Sequence, residues 1–362
     1  MNKKKMCLIW HEAGNDLYQD RFSALSKLFD LKVYGPRKFM GKTFQEISKK
    51  EWSSALFDCF LVMHWLTYFS YKMIRSVRKE RFDIIYIHEE PHSLLAFFIV
   101  IFCPAKVRVL ETSVINMKGN FKGFNFLEKI VYKKIDAILP KNKEVAQVLV
   151  ARGADKNKIY SPIGNGVSKE TFDVVDKIKA RKKMFGDSFE GKLVLGFAGR
   201  IWQPKGLEIL IPLAQENNYK VIVCGGVLDD WLLDKLKKSG VLYIGELKKN
   251  ELNCFYSSLD IFILPSLNTP YWREQFGRVC AEAIYCGTPA IGSNVGGIPM
   301  VIGEQNTFEA GDIDSLRAKI KNLRDDQMRV DKLQEQHEHV VENFSWSAIA
   351  NQVAHVVRGI KC

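Results

Sequence analysis

The sequence predicts an α/β protein built from two doubly wound domains that face a central cleft. Three observations lead there. Strand-like apolar runs alternate with amphipathic helical stretches from end to end, the rhythm of parallel sheets covered by helices on both faces. One turn-rich, charged stretch interrupts that rhythm near the middle. The 362 residues, 47% hydrophobic and 26% charged, are enough for two separate cores.

In the first half the strand-like runs are 6–10, 31–34, 83–88, 107–110 and 137–139. Helical stretches fall between them at 19–29, 92–102 and 126–134, the second apolar enough to leave its type open. The second half repeats the pattern with strands at 193–198, 220–224, 242–245, 261–265 and 289–292. The break lies between Ser168 and Gly191. A turn cluster, Ser161-Pro-Ile-Gly-Asn-Gly-Val167, leads into the charged stretch 176–183, and a fresh strand starts at Leu193. The expected domains are residues 1–170 and 171–343.

The formal charge of +12 is unevenly placed. Residues 1–170 hold 29 Lys and Arg against 17 Asp and Glu, whereas the remainder holds 24 of each. Such a field attracts anionic partners, and an anionic membrane surface is one expected for this half. Residues 55–74 (ALFDCFLVMHWLTYFSYKMI) are apolar and aromatic over nearly a bilayer span, and Arg75, Arg78, Lys79 and Arg81 follow. Asp58, His64 and Lys72 interrupt the run, so a buried helix, an interfacial helix and a spanning helix all stay open. The apolar run 6–10 behind three lysines is too short for a secretory signal and reads as a first strand. The eight cysteines form no C-x-x-C pair and sit mostly in apolar stretches, the pattern of reduced thiols. The expected location is cytoplasmic, with peripheral association at the inner face of the membrane.

The chemistry-bearing residues concentrate in the second half. A strand ends in Phe197-Ala-Gly199-Arg200 and runs into Ile201-Trp-Gln-Pro-Lys205-Gly206 before a helix. Two cations and a helix N-terminus at the C-terminal end of a parallel strand suit a diphosphate. In Glu274-Gln-Phe-Gly-Arg-Val-Cys-Ala-Glu282, a helix opening at Gly277 would leave the amides of Phe276 and Gly277 available. One carboxylate could then reach a sugar hydroxyl and the other the two ribose hydroxyls, since ionised carboxylates only accept. In Gly292-Ser-Asn-Val-Gly-Gly-Ile-Pro299, Gly296 and Gly297 can bring backbone amides close to phosphate. Asp312-Ile-Asp314 precedes a helical stretch and reads as an N-cap, so no metal site is expected.

The segments FAGRIWQPKGLEIL, EQFGRVCAEAIYCGTPAIGSNVGGIP and SPIGNGVSKETF resemble the family-four retaining glycosyltransferases of the GT-B fold. The first is similar to their phosphate motif, the second to their E-x7-E motif, and the third to the strand and turn that close the N-terminal domain. Phe344-Ser-Trp346 and the following stretch resemble the family's last element, so 344–362 is expected to pack back on the first of two Rossmann-like domains. The resemblance implies that Arg200 and Lys205 bind the donor diphosphate and Glu274 orients the sugar. Gly199, Gly206, Phe276, Gly277, Gly296 and Gly297 would line the donor, Glu282 would hold the ribose, and Leu247 would lie near the base. It also implies retention of anomeric configuration, no metal, and no cofactor beyond the nucleotide-sugar co-substrate.

The chain departs from that pattern in its first half. His11-Glu-Ala-Gly14-Asn15 offers one glycine where many relatives have two. Glu111 stands near a place often held by histidine and is a catalytic candidate, able to accept from a substrate hydroxyl. Met300 replaces an acidic residue. Gly14 is expected beside the donor, with Asn15, His88 and Glu89 on the side of a glycan or lipid-linked acceptor. Two other classes remain as alternatives, a GT-B-fold sugar-nucleotide epimerase and a non-enzymatic binder of anionic surfaces. Nucleic acid is not an expected partner, because no Arg-rich or aromatic nucleic-acid motif is present. Oxidoreductase chemistry is disfavoured, since no G-x-G-x-x-G opens a helix after a strand.

Overall fold

The structure is a computed structural model that describes residues 3–59, 68–113, 125–186 and 191–360. Its contacts divide the chain into two compact units, Met1–Gly164 with Trp346–Cys362, and Asn165–Ser345.

The first unit is a six-stranded, all-parallel sheet. Its strands are β1 (Lys5–Trp10), β2 (Asp30–Pro36), β5 (Trp52–Phe57), β6 (Ile84–His88), β7 (Val107–Thr112) and β8 (Ala137–Pro140). A two-stranded antiparallel ribbon, β3 (Lys38–Phe39) and β4 (Lys42–Thr43), sits in the β2–β5 connection. The spatial order β5-β2-β1-β6-β7-β8 reverses direction between β1 and β6, and such switch points are where ligands bind in open sheets. Met6, Cys7, Leu8 and Ile9 are all buried. A strand covered on both faces reads as a continuous apolar run rather than an alternating one. The register sets His88 opposite Trp10 and Glu111 opposite His88, so the polar ends of neighbouring strands meet.

Helices α1 (Gln19–Leu28), α2 (Tyr71–Glu80), α3 (Leu94–Phe102), α4 (Asn125–Lys134) and α5 (Lys143–Ala151) cover the sheet. Three start on side-chain caps, where Ser70, Ser93 and Asn142 accept from Met73, Ala96 and Val145 N–H groups. The run 55–74 is no single helix. Residues up to Phe57 finish β5, α2 begins only at Tyr71, and 60–67 lie outside the described residues, Trp65 among them. The apolar character of its ends has two unrelated causes: Leu56 fills the sheet core, and Tyr68 is fully buried against Glu89. Among the described residues no helix is long and apolar enough to cross a membrane.

The second unit contains β9 (Leu193–Ala198), β10 (Tyr219–Cys224), β11 (Leu242–Tyr243), β12 (Ile261–Leu264), β13 (Ala290–Ser293) and β14 (Thr307–Phe308). They form a second parallel sheet ordered β11-β10-β9-β12-β13-β14, with its switch point between β9 and β12. Helices α6 (Lys177–Phe185), α7 (Ile211–Ala214), α8 (Asp230–Lys238), α9 (Lys249–Ser257), α10 (Arg278–Tyr285), α11 (Ile298–Ile302), α12 (Ile313–Lys321) and α13 (Asp326–Phe344) surround it. The charged stretch 176–183 is mostly α6. It is tied to this unit by Lys177 and Arg181, each 2.6 Å from Asp260. Asp312 caps α12 by accepting from the Asp314 and Ser315 amides at 2.9 and 3.3 Å.

The last helix, α14 (Trp346–Gly359), packs on α1 and so belongs to the first unit. Its buried face of Trp346, Ile349, Ala350, Val353, Ala354, Val356 and Val357 is that of an amphipathic core helix.

Candidate functional site

In the second unit, β9 delivers Arg200 and Lys205 to the C-terminal edge of the sheet beside β12. Gly206 fixes this approach: it has φ +68°, and a Cβ there would fall on the Pro265 carbonyl oxygen. Lys205 is therefore pressed into the sheet edge, 9% exposed, with Nζ 2.5 Å from Glu274 Oε2. Ser266, just past β12, donates to the same oxygen at 3.1 Å. Both bonds land on Oε2, and among the described residues Oε1 of Glu274 has no hydrogen-bond partner. The Trp272 ring lies 4.7 Å from Lys205 Nζ and 5.3 Å from Trp202, walling one side of the pair.

Arg200 is exposed and stacks over Trp202 at 4.9 Å. It has no ion-pair partner among the described residues. Gly277 caps α10, and the N–H groups of Phe276 and Gly277 donate to no protein group among the described residues. Gly296 and Gly297 bring their turn against the loop that carries Glu274. Gly296 has φ +59°, a Cβ there would strike the Glu274 carbonyl, and the Gly297 N–H donates to that carbonyl at 3.0 Å. This turn clamps the loop that carries Glu274.

Glu282 sits one face inward on α10, buried, accepting from Arg278 Nε at 2.7 Å and from the Tyr256 hydroxyl at 2.8 Å. The Cys280 thiol, raised by burial, feels Glu274, Lys205 and Glu282 together, which places all three around the start of α10. Leu247 is half-buried after β11, and Gly199 donates its N–H to Cys224 O at 2.9 Å.

The first unit's sheet edge is organised differently. Glu111, 1% exposed, is held by Arg21 from α1, Tyr86 from β6 and Lys141 just after β8. His88 joins them. Its Nδ1 accepts from Arg21 at 2.7 Å, its Nε2 lies 3.4 Å from Glu111, and its ring stacks on Trp10 at 4.4 Å. Burial opposes the Glu111 charge, but Arg21, His88 and Lys141 overcome it and hold the carboxyl far below its ordinary range. Burial likewise brings Lys141 down to about 8 and keeps His88 well below 6.5. Both Glu111 oxygens are thus engaged within the protein, Oε2 by Arg21 and Tyr86 and Oε1 by Lys141.

Glu89 is also buried. It takes the His11 N–H at 2.8 Å, the His11 ring Nδ1 at 3.0 Å and the Tyr68 hydroxyl. Burial lowers the His11 pKa, but Glu89, Glu12 and Glu90 outweigh it and the net shift is upward. Gly14 packs under Phe44 and Leu56, and Asn15 donates to Glu12 Oε2 at 2.6 Å. His11, Arg21 and Lys141 were missed in the sequence. Lys141 had a signal, a cation directly after a strand, whereas Arg21 had none inside an ordinary amphipathic helix. Among the described residues no cluster of three His, Cys, Asp or Glu could hold a metal.

Comparison with known proteins fits this layout. The family model for glycosyl transferases group 1 matches residues 179–343. An uncharacterized 41.2 kDa protein in the cps region of Klebsiella pneumoniae is 27% identical over 246 residues, 64% of this chain and 66% of that protein. The D-inositol 3-phosphate glycosyltransferase of Corynebacterium efficiens is 31% identical over 226 residues, 57% of this chain and 49% of that one. The chain therefore spans about half to two-thirds the length of such curated relatives. Anabaena HepE, solved in complex with UDP and glucose, superposes with a TM-score of 0.73 over 98% of this chain and 100% of its own, at 16% identity. At that identity the likeness establishes the fold, which is GT-B. Residues 179–343, most of the second unit, are thus similar to the group 1 glycosyl transferases, and the chain, with its two parallel Rossmann-like sheets, has the GT-B fold.

Proposed function

We propose that the protein transfers a sugar from a nucleoside-diphosphate donor to a hydroxyl of a glycan or lipid-linked acceptor, with retention of configuration and without a metal. The observation that carries this reading is the Lys205–Glu274 pair, walled by tryptophan, with the exposed Arg200 on the same strand-end loop. Arg200 and Lys205 would hold the diphosphate and stabilise the charge that grows on the leaving oxygen as the C1–O bond breaks. Preorganised charge of this kind usually lowers the barrier more than any other single effect. Glu274, through Oε1, accepts from a sugar hydroxyl, and the Phe276 and Gly277 amides lie beside it. Glu282 orients the ribose by way of its Arg278 and Tyr256 partners, with Leu247 beside the base. The acceptor oxygen attacks C1 on the face the phosphate leaves, and its proton passes to the departing phosphate oxygen.

In this reading the first unit supplies acceptor-side groups near the switch point of its sheet, with Asn15, His88 and Glu89 as the candidates. HepE's complexes with UDP and glucose support a uridine-type donor. The relative in the cps region of Klebsiella pneumoniae supports a role in surface polysaccharide synthesis.

The test is a panel of sugar nucleotides assayed for nucleoside diphosphate release, with product stereochemistry read by NMR. Glu274→Ala is expected to lower kcat by about 10²-fold or more, the scale seen when one transition-state contact is removed, while the melting temperature holds. Wild-type turnover in that variant would overturn the assignment. Release of an epimerised sugar nucleotide would favour the epimerase alternative instead.

A further inference from the structure

Three consecutive helices of the first unit form a surface that the proposed chemistry does not use. Helix α3 contacts α2 on one side and α4 on the other. It carries no charged residue along Leu94–Phe102. Its inner side chains, Leu95, Ala96, Ile99 and Val100, are buried in the core. Its outer side is apolar as well: Ile101 is 38% and Phe102 45% exposed, and Phe98 is half-buried. A helix covering a soluble sheet ordinarily turns polar groups outward, so an apolar outer stripe marks a contact surface.

The helices on either side supply the missing polarity, all of one sign. Along α2 and just beyond it, Lys72, Arg75, Arg78, Lys79 and Arg81 are exposed, and among the described residues they form no ion pair. The one acid on α2, Glu80, is bound to Lys32 at 2.6 Å and to the Tyr34 hydroxyl at 2.8 Å. Along α4, Lys129, Lys133 and Lys134 are exposed, while its acid Glu128 is buried against Arg152 and Tyr132. Between α2 and α3 lies a cavity of about 390 Å³, where Phe69 meets Phe98 at 4.7 Å and Phe102 stacks on Phe98 at 5.9 Å. Arg75 and Arg78 stand at its mouth, beside the 61%-exposed Tyr71.

We infer that the α2–α3–α4 face docks on an anionic phospholipid bilayer, with the apolar stripe of α3 at the acyl boundary and the flanking cations on headgroup phosphates. Charge complementarity selects this occupant. A nucleic-acid backbone would engage the cations but leave Ile101, Phe98 and Phe102 in water. A planar medium with an apolar interior and an anionic surface satisfies the stripe and both borders together. Docking here would hold the first unit where a lipid-linked acceptor resides. The inference rests on this surface and not on the donor site.

The experiment is sedimentation of the full chain with vesicles of phosphatidylcholine alone and of phosphatidylcholine with phosphatidylglycerol. UDP binding by the wild-type protein is measured alongside, so that loss of one reading leaves the other testable. Wild type is expected to pellet with the anionic vesicles, and to do so less at high salt. With about 1 kcal/mol per juxtamembrane cation, Arg75→Ser with Arg78→Ser should weaken partition roughly thirtyfold. Ile101→Ser with Phe102→Ser should abolish the binding that survives high salt. Unchanged melting temperatures confirm that these surface variants fold.

Equal binding to neutral and anionic vesicles, or variants that partition like wild type, would overturn the proposal. Release by soluble glycerol phosphate would overturn it in favour of a free-phosphate site, and equal retention on duplex DNA in favour of a nucleic-acid surface.

Discussion

The two sheets end alike and spend their charges differently. At the edge of the first sheet, Arg21, Glu111, Lys141 and His88 face one another, with Arg21 and Glu111 only 2% and 1% exposed. At the edge of the second, Arg200 faces solvent, and among the described residues Glu274 Oε1 has no hydrogen-bond partner. One edge pairs its charges inside the protein, as a scaffold would, while the other keeps Arg200 in solvent, as the proposed donor site requires. A shared fold thus locates a site without saying whether its polar groups serve stability or chemistry.

Mutations should separate the two roles. Glu111→Leu strands two buried cations, and removing one partner of a buried pair typically costs about 3–5 kcal/mol. Urea denaturation should show that loss, and a midpoint within error of wild type would break the contrast. Lys205→Ala should do the reverse, lowering kcat by about 10²–10³-fold while denaturation changes little. A large stability loss with intact turnover would assign Lys205 to the scaffold.

Gly296→Ala probes the clamp on the Glu274 loop. A strained left-handed backbone costs of order 1–3 kcal/mol, and here the added methyl also meets the Glu274 carbonyl. Turnover should fall with a modest drop in melting temperature, and an unaffected rate would show that the clamp does not position Glu274.

The smallest effect is in pH. Glu111 has a depressed folded pKa, so its contribution is complete above the ordinary glutamate range near 4.5 and is lost as pH falls below it. His88 stays neutral when folded but gains a proton when unfolded, so stability also declines as pH drops below 6.5. Stability measured from pH 7 to 4 should therefore fall, and His88→Gln should remove the part that begins near 6.5. An unchanged profile in that variant would show that His88 titrates alike in both states.

What could be read beforehand follows the same division. Strand β9 was legible residue for residue because Leu193–Ala198 is one unbroken apolar run. Strand β5 was hidden, since Trp52–Phe57 alternates buried and half-buried residues and merges into the apolar stretch that follows. Strand β14 is two residues long, too short for any periodicity. In the second unit Lys205 and Glu274, although 69 residues apart, stood out because each lies in a compact local motif. The Arg21–Glu111 network draws on four distant segments that only the sheet register brings together, and no local pattern encodes that meeting.

Helix α14 carries a consequence for how the chain is made. During synthesis from the N-terminus, the whole second unit emerges before Trp346–Gly359 exists to cover α1. The first unit must wait on the ribosome with an uncovered apolar strip, so premature termination between residues 164 and 346 would release a sheet lacking α14 and prone to self-association.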